Sequence, residues 1–211
     1  KKVFKGSDYN DLGRLVGLEF RSNSTVSMEE GALFQIGAGG DKYLSLIQMA
    51  RAREISLEKQ FSDSWDHGLH WQQLKVLDKA YKDYKKEKNK LDFVDMIEQF
   101  IIEGTSPKFD LLIIDEAQDL TPLQWRMVKE VLVPNSKKVY YAGDDDQAIY
   151  TWMGVSIEDF LNCSEQKIFL KESYRVPSAV HDFSQDLIKK ASLRQKKEWQ
   201  PTKKDGSLVW H

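Results

Sequence analysis

Four apolar residues, Leu111-Leu112-Ile113-Ile114, run directly into two adjacent acids, Asp115 and Glu116. A run this short, with Asp110 before it and Asp115 after it, reads as a strand buried on both faces of a parallel sheet. Carboxylates lose too much solvation to sit inside such a strand, so Asp115 and Glu116 fall where it emerges at its carboxyl end. In open α/β sheets that edge is where ligands bind. One carboxylate there can hold Mg2+, directly or through water, while its neighbour polarises an attacking water. That is the division of labour needed to hydrolyse a nucleoside triphosphate.

Two further runs repeat the pattern. Val139 to Ala142 reads as a second buried strand ending in Gly143-Asp144-Asp145-Asp146, and Ile168 to Leu170 as a third leading into Glu172-Ser173-Tyr174-Arg175. Between the first two, Thr121 is placed to cap a helix with Pro122 at its first position and a buried stripe of Leu123, Met127, Val128, Val131 and Leu132. Pro134-Asn135-Ser136 stops it. Strands separated by a helix and by long connections favour a parallel sheet, which puts the three polar ends on one edge. Read alone, Asp144 to Asp146 is either a solvated turn or part of a site.

Residues 1 to 105 contain almost no strand-like run. Leu74, Leu77, Tyr81 and Tyr84 have the spacing of an amphipathic helix with a basic outer face, and Phe93, Met96, Ile97, Phe100 and Ile101 continue with helical spacing between a capping Asp92 and a terminating Gly104. Beyond Pro177 a helix is expected to carry Val180, Phe183, Leu187 and Ile188. A lysine-rich tail follows, and Leu208-Val209-Trp210 has the character of a strand start. A hydrophobic content of 41% is ample for a core, and a formal charge of -2 leaves nucleic-acid binding to local patches. The lone Cys163 excludes an internal disulfide framework and a multi-cysteine zinc site. No stretch has the length of a membrane span and the first 30 residues lack the apolar core of a secretion signal, so a cytoplasmic setting is expected.

Asp115-Glu116-Ala117-Gln118-Asp119, the segment Gly143 to Gly154 and Ser173-Tyr174-Arg175 occur in the order and spacing of motifs II, III and IV of superfamily 1 helicases, and the chain resembles their UvrD/Rep branch. The resemblance is most specific from Leu91 to Pro177. It implies an α/β fold: part of a RecA-like parallel-sheet motor domain of the P-loop NTPase kind, with a helical insertion. Residues 1–90 would be that insertion, 91–177 the C-terminal part of the first motor domain, and 178–211 the start of the second. It also implies ATP with Mg2+, single-stranded DNA and duplex junctions as partners, 3′ to 5′ translocation in repair or replication, and a bacterial source or a phage-encoded one in a bacterial host. Residue by residue, Asp115 takes the Mg2+ role and Glu116 that of general base. Gln147 senses the γ-phosphate, Arg175 reaches it in the transition state, and Tyr174 stacks on the nucleotide base. Trp152, supported by Tyr150, stacks on DNA bases, an interaction worth roughly 1–3 kcal/mol per base.

The chain departs from the family in two places. Thr151 and Met153 flank Trp152 where many relatives have glycine and arginine, and no Gly-x-x-x-x-Gly-Lys-Ser/Thr occurs. The nearest imitation, Gly37-Ala38-Gly39-Gly40-Asp41-Lys42, has Asp41 in place of glycine and Tyr43 in place of a hydroxyl ligand, and reads as a loop opening a helix. These features point to an internal piece of an ATP-dependent DNA helicase that does not hydrolyse ATP efficiently by itself. The competing readings are a noncatalytic single-strand-binding or protein-interaction module, and a metal-dependent nuclease using Asp115, Glu116 and Asp144 to Asp146.

Overall fold

A computed structural model describes residues 1–20, 39–64, 68–151 and 154–209. Its N-terminal part is built from helices α1 (Gly6–Val16), α2 (Gly39–Ala52), α3 (Leu57–Asp63), α4 (Trp71–Glu87) and α5 (Phe93–Glu103), with a short parallel ladder of β1 (Lys2–Val3) and β2 (Lys90–Leu91). The expected stripe of α4 is the centre of the core: Leu74 and Leu77 are fully buried, Tyr81 and Tyr84 nearly so, against Leu12 of α1 and Leu44 and Ile47 of α2. Burying each such side chain stabilises the fold by roughly 1.5–3 kcal/mol. The β1–β2 ladder is too short to leave a period in the sequence, yet it sets Phe4 edge-on to Tyr9, Tyr81 and Tyr84, with ring centroids 4.7, 5.2 and 5.7 Å away.

Helix α5 begins and ends as the sequence predicts. Asp92 accepts from the Asp95 amide at its N-terminus while Asp95 accepts from the Asp92 amide, and Gly104 takes a left-handed φ of 62° at its C-terminus. Its stripe is shallower than expected. Val94 is the buried residue, and Phe93 is half exposed.

The strand at Leu111 to Ile114 forms as β3 (Leu112–Ile114), and the second as β4 (Val139–Tyr141). They pair in parallel with Leu112 opposite Val139 and Ile114 opposite Tyr141, so both polar ends do lie on one edge. Helix α6 (Pro122–Met127) packs on the sheet through Trp125, whose ring lies 5.8 Å from that of Tyr141. Thr121 caps α6 through a reciprocal pair with Gln124, and Leu123, Val128 and Val131 are buried as expected. The helix widens into a π turn at Val128–Leu132 before stopping at Val133–Asn135.

Four expectations fail here. Burial on both faces does not hold, because Ile113 and Tyr140 are 61% and 57% exposed. Among the described residues the sheet has two strands and only one covered face. Ile168 to Leu170 is not a strand. Ile168 and Leu170 project into solvent, and the chain just beyond them bonds instead to the tail, Gln200 donating to the Lys171 carbonyl and Ser173 to the Gln200 carbonyl, both at 2.8 Å. Helix α7 (Ser178–Ile188) forms after Pro177, but its stripe is not buried: Phe183 and Leu187 are exposed, because the tail crosses it through Trp199 packing on His181 rather than along the stripe. Leu208 and Val209 are not in a strand, and Trp210 lies outside the described residues.

Candidate active site

Asp115 and Glu116 emerge from β3 exposed, as the strand-end argument requires. Glu116 holds a left-handed backbone, φ 48° and ψ 39°, a conformation that is uncommon and mildly costly for a residue with a Cβ. The surroundings impose it: Asp115 Oδ1 accepts from the Glu116 amide at 3.0 Å, and the Ala117 amide donates to the Ala142 carbonyl beyond β4 at 2.9 Å. The chain is thereby turned sharply at the strand end, and a one-turn 3-10 helix follows over Ala117–Asp119. Among the described residues no lysine or arginine forms a salt bridge with either carboxylate. Their negative charge is left to the solvent-facing edge.

Gln118, which the sequence reading passed over, is nearly fully buried directly behind them. Its Nε2 donates to Glu116 Oε2 at 2.9 Å and to Asp119 Oδ2 at 3.2 Å, and its Oε1 accepts from the Asp144 amide at 3.1 Å. Gly143 makes this approach possible, because a Cβ there would lie 2.4 Å from Gln118 Oε1 and 3.0 Å from the Phe160 ring. Burial raises the Asp119 carboxyl above its ordinary range, and the charge of Glu116 adds to the effect. Gln147, the expected sensor, is exposed on the 3-10 turn Asp145–Gln147, where its Nε2 donates to Asp144 Oδ2 at 2.7 Å. The strand-end acids and the loop carrying Gln147 are therefore brought together.

Asp144 to Asp146 form neither a solvated turn nor a metal cluster. Arg194 grips Asp146 with two bonds of 2.7 Å, Lys197 contacts all three acids, and the Gln195 amide donates to Asp145 at 2.6 Å. Burial works against ionised Asp144, but bonds from Lys197 and Gln147 outweigh it and hold the carboxyl below its ordinary range. Burial likewise opposes the Lys197 charge, and Asp144 and Asp145 raise that lysine above its usual value. The nuclease reading needed these acids to converge on metals with Asp115 and Glu116. The structure commits them to cations of the tail instead. Among the described residues no group of three or more acids, histidines or cysteines is placed to hold a metal. Mg2+ in nucleotide sites commonly takes one or two carboxylates, waters and phosphate oxygens, so the exposed, uncompensated Asp115 fits that ion without such a cluster.

The remaining expected residues are less gathered. Tyr174 is 91% exposed with its hydroxyl 3.4 Å from Glu172, and Arg175 is exposed. Among the described residues neither forms a hydrogen bond or salt bridge with the strand-end acids. Tyr150 is partly buried, and Trp152 lies outside the described residues. Gly39 and Gly40 open α2, where Gly40 lets the helix start approach the Glu19 carbonyl and the Phe20 ring; a Cβ would be within 3 Å of both. Tyr43 is buried, bonding Gln73 and the His70 amide at 2.9 Å. Gly40 thus serves helix packing, while a Cβ on Gly39 would meet nothing within 4 Å.

Residues 8–168 match the family described as UvrD/REP helicase N-terminal domain. The probable DNA helicase II homolog of Mycoplasma capricolum is 24% identical over 206 residues, covering 91% of this chain and 27% of that protein. The ATP-dependent DNA helicase PcrA of Staphylococcus epidermidis is 30% identical over 143 residues, 61% of this chain and 20% of the relative. PcrA of Staphylococcus aureus is 29% identical over 142 residues, 61% and 19% respectively. The chain thus spans 27% or less of the length of these curated relatives.

Proposed function

Since this chain belongs to the UvrD/REP helicase N-terminal domain family, we propose that it supplies the motif II, III and IV segments of an ATP-dependent DNA motor with 3′ to 5′ polarity. The family implies a P-loop NTPase fold, and the parallel β3–β4 pair with acids at its carboxyl edge is the part of such a fold that bears on chemistry. One observation carries the reading. Among the described residues, Asp115 and Glu116 at that edge form no salt bridge, while the neighbouring Asp144 to Asp146 are all paired.

In this reading Asp115 holds the Mg2+ of bound ATP, which when present neutralises phosphate charge. Glu116 accepts the proton of the attacking water. Gln147 suits the γ-phosphate because an amide accepts from water and donates to a phosphoryl oxygen at once. Arg175 brings a planar permanent cation and Tyr174 a base-stacking ring, both on an exposed segment that domain closure can deliver. Trp152, with Tyr150, stacks on single-stranded DNA. The phosphate cradle is supplied by sequence outside these 211 residues, so the isolated chain does not turn over ATP efficiently. Residues 1–90 serve as a helical insertion and 178–211 as the entry to a second motor domain.

In the natural protein that carries these residues, Glu116→Gln is expected to lower DNA-stimulated ATP turnover by about 100-fold or more while ATP binding persists. Unchanged turnover would overturn the reading and leave a noncatalytic DNA- or protein-binding module. Magnesium-dependent turnover by the isolated chain, abolished by the same substitution, would show that no outside cradle is needed. For DNA, titration of a single-stranded oligonucleotide against tryptophan fluorescence is expected to weaken in Trp152→Ala; equal affinity would remove Trp152 from the interface.

A further inference from the structure

Gln118 has no part in the chemistry proposed above, yet it alone bridges the two strand ends by side-chain hydrogen bonds among the described residues. The geometry points to Gln118 as the positioning residue that fixes the Glu116 carboxylate against the loop carrying Gln147, so that the general base and the phosphate sensor are placed as one unit. This rests on the hydrolytic reading of the same site.

The amide suits the place in a way no other side chain of its length does. Its oxygen faces a backbone N–H and its nitrogen faces two carboxylates, so the reverse orientation would set oxygen against both acids and NH2 against a donor. Only one orientation is compatible with its partners. Glutamate would keep the acceptor but add a third negative charge beside Glu116 and Asp119, and methionine would keep the volume and lose every bond.

The link continues at both ends. On one side Glu116 is exposed on a left-handed backbone, and the Gln118 donor is the bond that limits where its carboxylate points. On the other, the Asp144 amide that Gln118 holds belongs to the residue whose carboxylate accepts from Gln147 and caps the sensor turn. Glu116, Gln118, Asp144 and Gln147 thus form an unbroken chain of contacts. Gly143 is the steric condition for it, since any Cβ there would push Gln118 Oε1 away. Misplacing catalytic groups by about 1 Å can cost on the order of 100-fold in rate, so a single amide spanning the two strand ends has leverage on the chemistry.

The test uses the natural protein carrying this chain, with Gln118→Met. ATP turnover and hydrogen–deuterium exchange of the peptide spanning residues 143–147 are both measured. Expected are a fall in kcat of about 10- to 100-fold with KM for ATP within about threefold, and exchange at the Asp144 amide faster by about tenfold. Placed on Glu116→Gln, the same substitution should lower kcat no further. Loss of folded protein with normal kcat per folded molecule, or an equal further loss on the Glu116→Gln background, would make Gln118 a packing residue only. Should Gln118→Met not fold, Gly143→Ala displaces the amide sterically and should give the same split between kcat and KM. If Glu116→Gln itself retains full turnover, the hydrolytic reading fails. The link from Gln118 to the loop is then judged by exchange alone, and unchanged exchange would overturn it.

Discussion

Two groups of acids in this chain receive opposite treatment. Asp92, at the head of α5, is almost wholly buried and is met by Arg51 at 2.8 Å, by Lys85 and by the Tyr81 hydroxyl at 2.8 Å, while Asp95 shares both cations and Glu98 shares Arg51. Burial pushes its carboxyl up, but Arg51 and Lys85 outweigh that and hold it far below the usual carboxylate range. Asp115 and Glu116 are exposed and receive hydrogen bonds but, among the described residues, no cation. The difference separates structure from chemistry. A compensated acid locks α2, α4 and α5 together, whereas an uncompensated pair on a rigid strand end keeps its charge available for what arrives from solution.

The sharpest way to break this contrast is to remove each kind of acid and compare rate with stability. Glu116→Gln is expected to change the rate most, by about 10²- to 10⁴-fold, equivalent to roughly 3–5 kcal/mol of barrier. Its unfolding free energy should stay within about 0.5 kcal/mol of the parent, because the side chain is exposed and an amide oxygen can still accept from Gln118. Asp92→Ala should do the reverse. Leaving Arg51 and Lys85 short of a partner and uncapping α5 should cost about 3 kcal/mol in urea denaturation, the lower end for a broken buried pair because Asp95 and Glu98 remain. Equal stability losses at the two sites would erase the distinction.

Asp144 to Asp146 stand between these extremes, acids at the same strand-end edge as Asp115 and Glu116 that are nonetheless paired. Lys197→Ala is expected to destabilise by about 2 kcal/mol, less than Asp92→Ala because Arg194 and the Gln195 amide still serve the cluster. The pH dependence follows from the directions of the shifts. Asp144 is depressed, so its contribution is complete above its ordinary value of 3.8 and is lost as pH falls through the lower folded value. Lys197 is raised, so its contribution is complete below 10.5 and is lost as pH rises through the higher folded value. The stability gap between parent and Lys197→Ala should therefore be full at pH 7 and shrink as the solution is taken well above pH 10.5. A gap that stays constant across that range would mean that Lys197 acts by packing its stem rather than by its charge.

Local rules were legible in the sequence where one residue type had one physical reason to be there. Asp92 and Thr121 as caps, Gly104 as a helix end, the Leu74 to Tyr84 stripe and the acids at the end of β3 all follow from hydrogen-bonding or periodicity within a few residues. What was not legible depends on partners far along the chain. The pairing of Asp146 with Arg194 spans 48 residues, and neither the acidic run nor the lysine-rich tail signals it alone. Gln118 was passed over because a glutamine between two acids looks like a surface residue until Gly143 is seen to admit it. Ile168 to Leu170 looked like a strand because apolar runs do not say which backbone will pair with them. The tail at Gln200 takes up the bonding just beyond it.

The finest test of the contrast compares two tyrosine hydroxyls. Tyr81 donates to Asp92 at 2.8 Å and accepts from Gln48 at 3.0 Å, inside the core of the helical part. Tyr174 is almost fully exposed, with its hydroxyl 3.4 Å from Glu172. Tyr81→Phe keeps the ring and its edge-on contact with Phe4, removing only the two hydrogen bonds and leaving the Gln48 amide short of an acceptor. That should cost about 1 kcal/mol in urea or thermal unfolding, without effect on KM for ATP. At the exposed tyrosine, Tyr174→Phe should leave stability within about 0.5 kcal/mol and also leave ATP affinity intact, since stacking needs the ring and not the hydroxyl. Tyr174→Ala should then raise KM with stability still unchanged. A tyrosine that loses stability at the edge, or nucleotide affinity in the core, would show that the two regions are not divided between architecture and chemistry in the way their acids indicate.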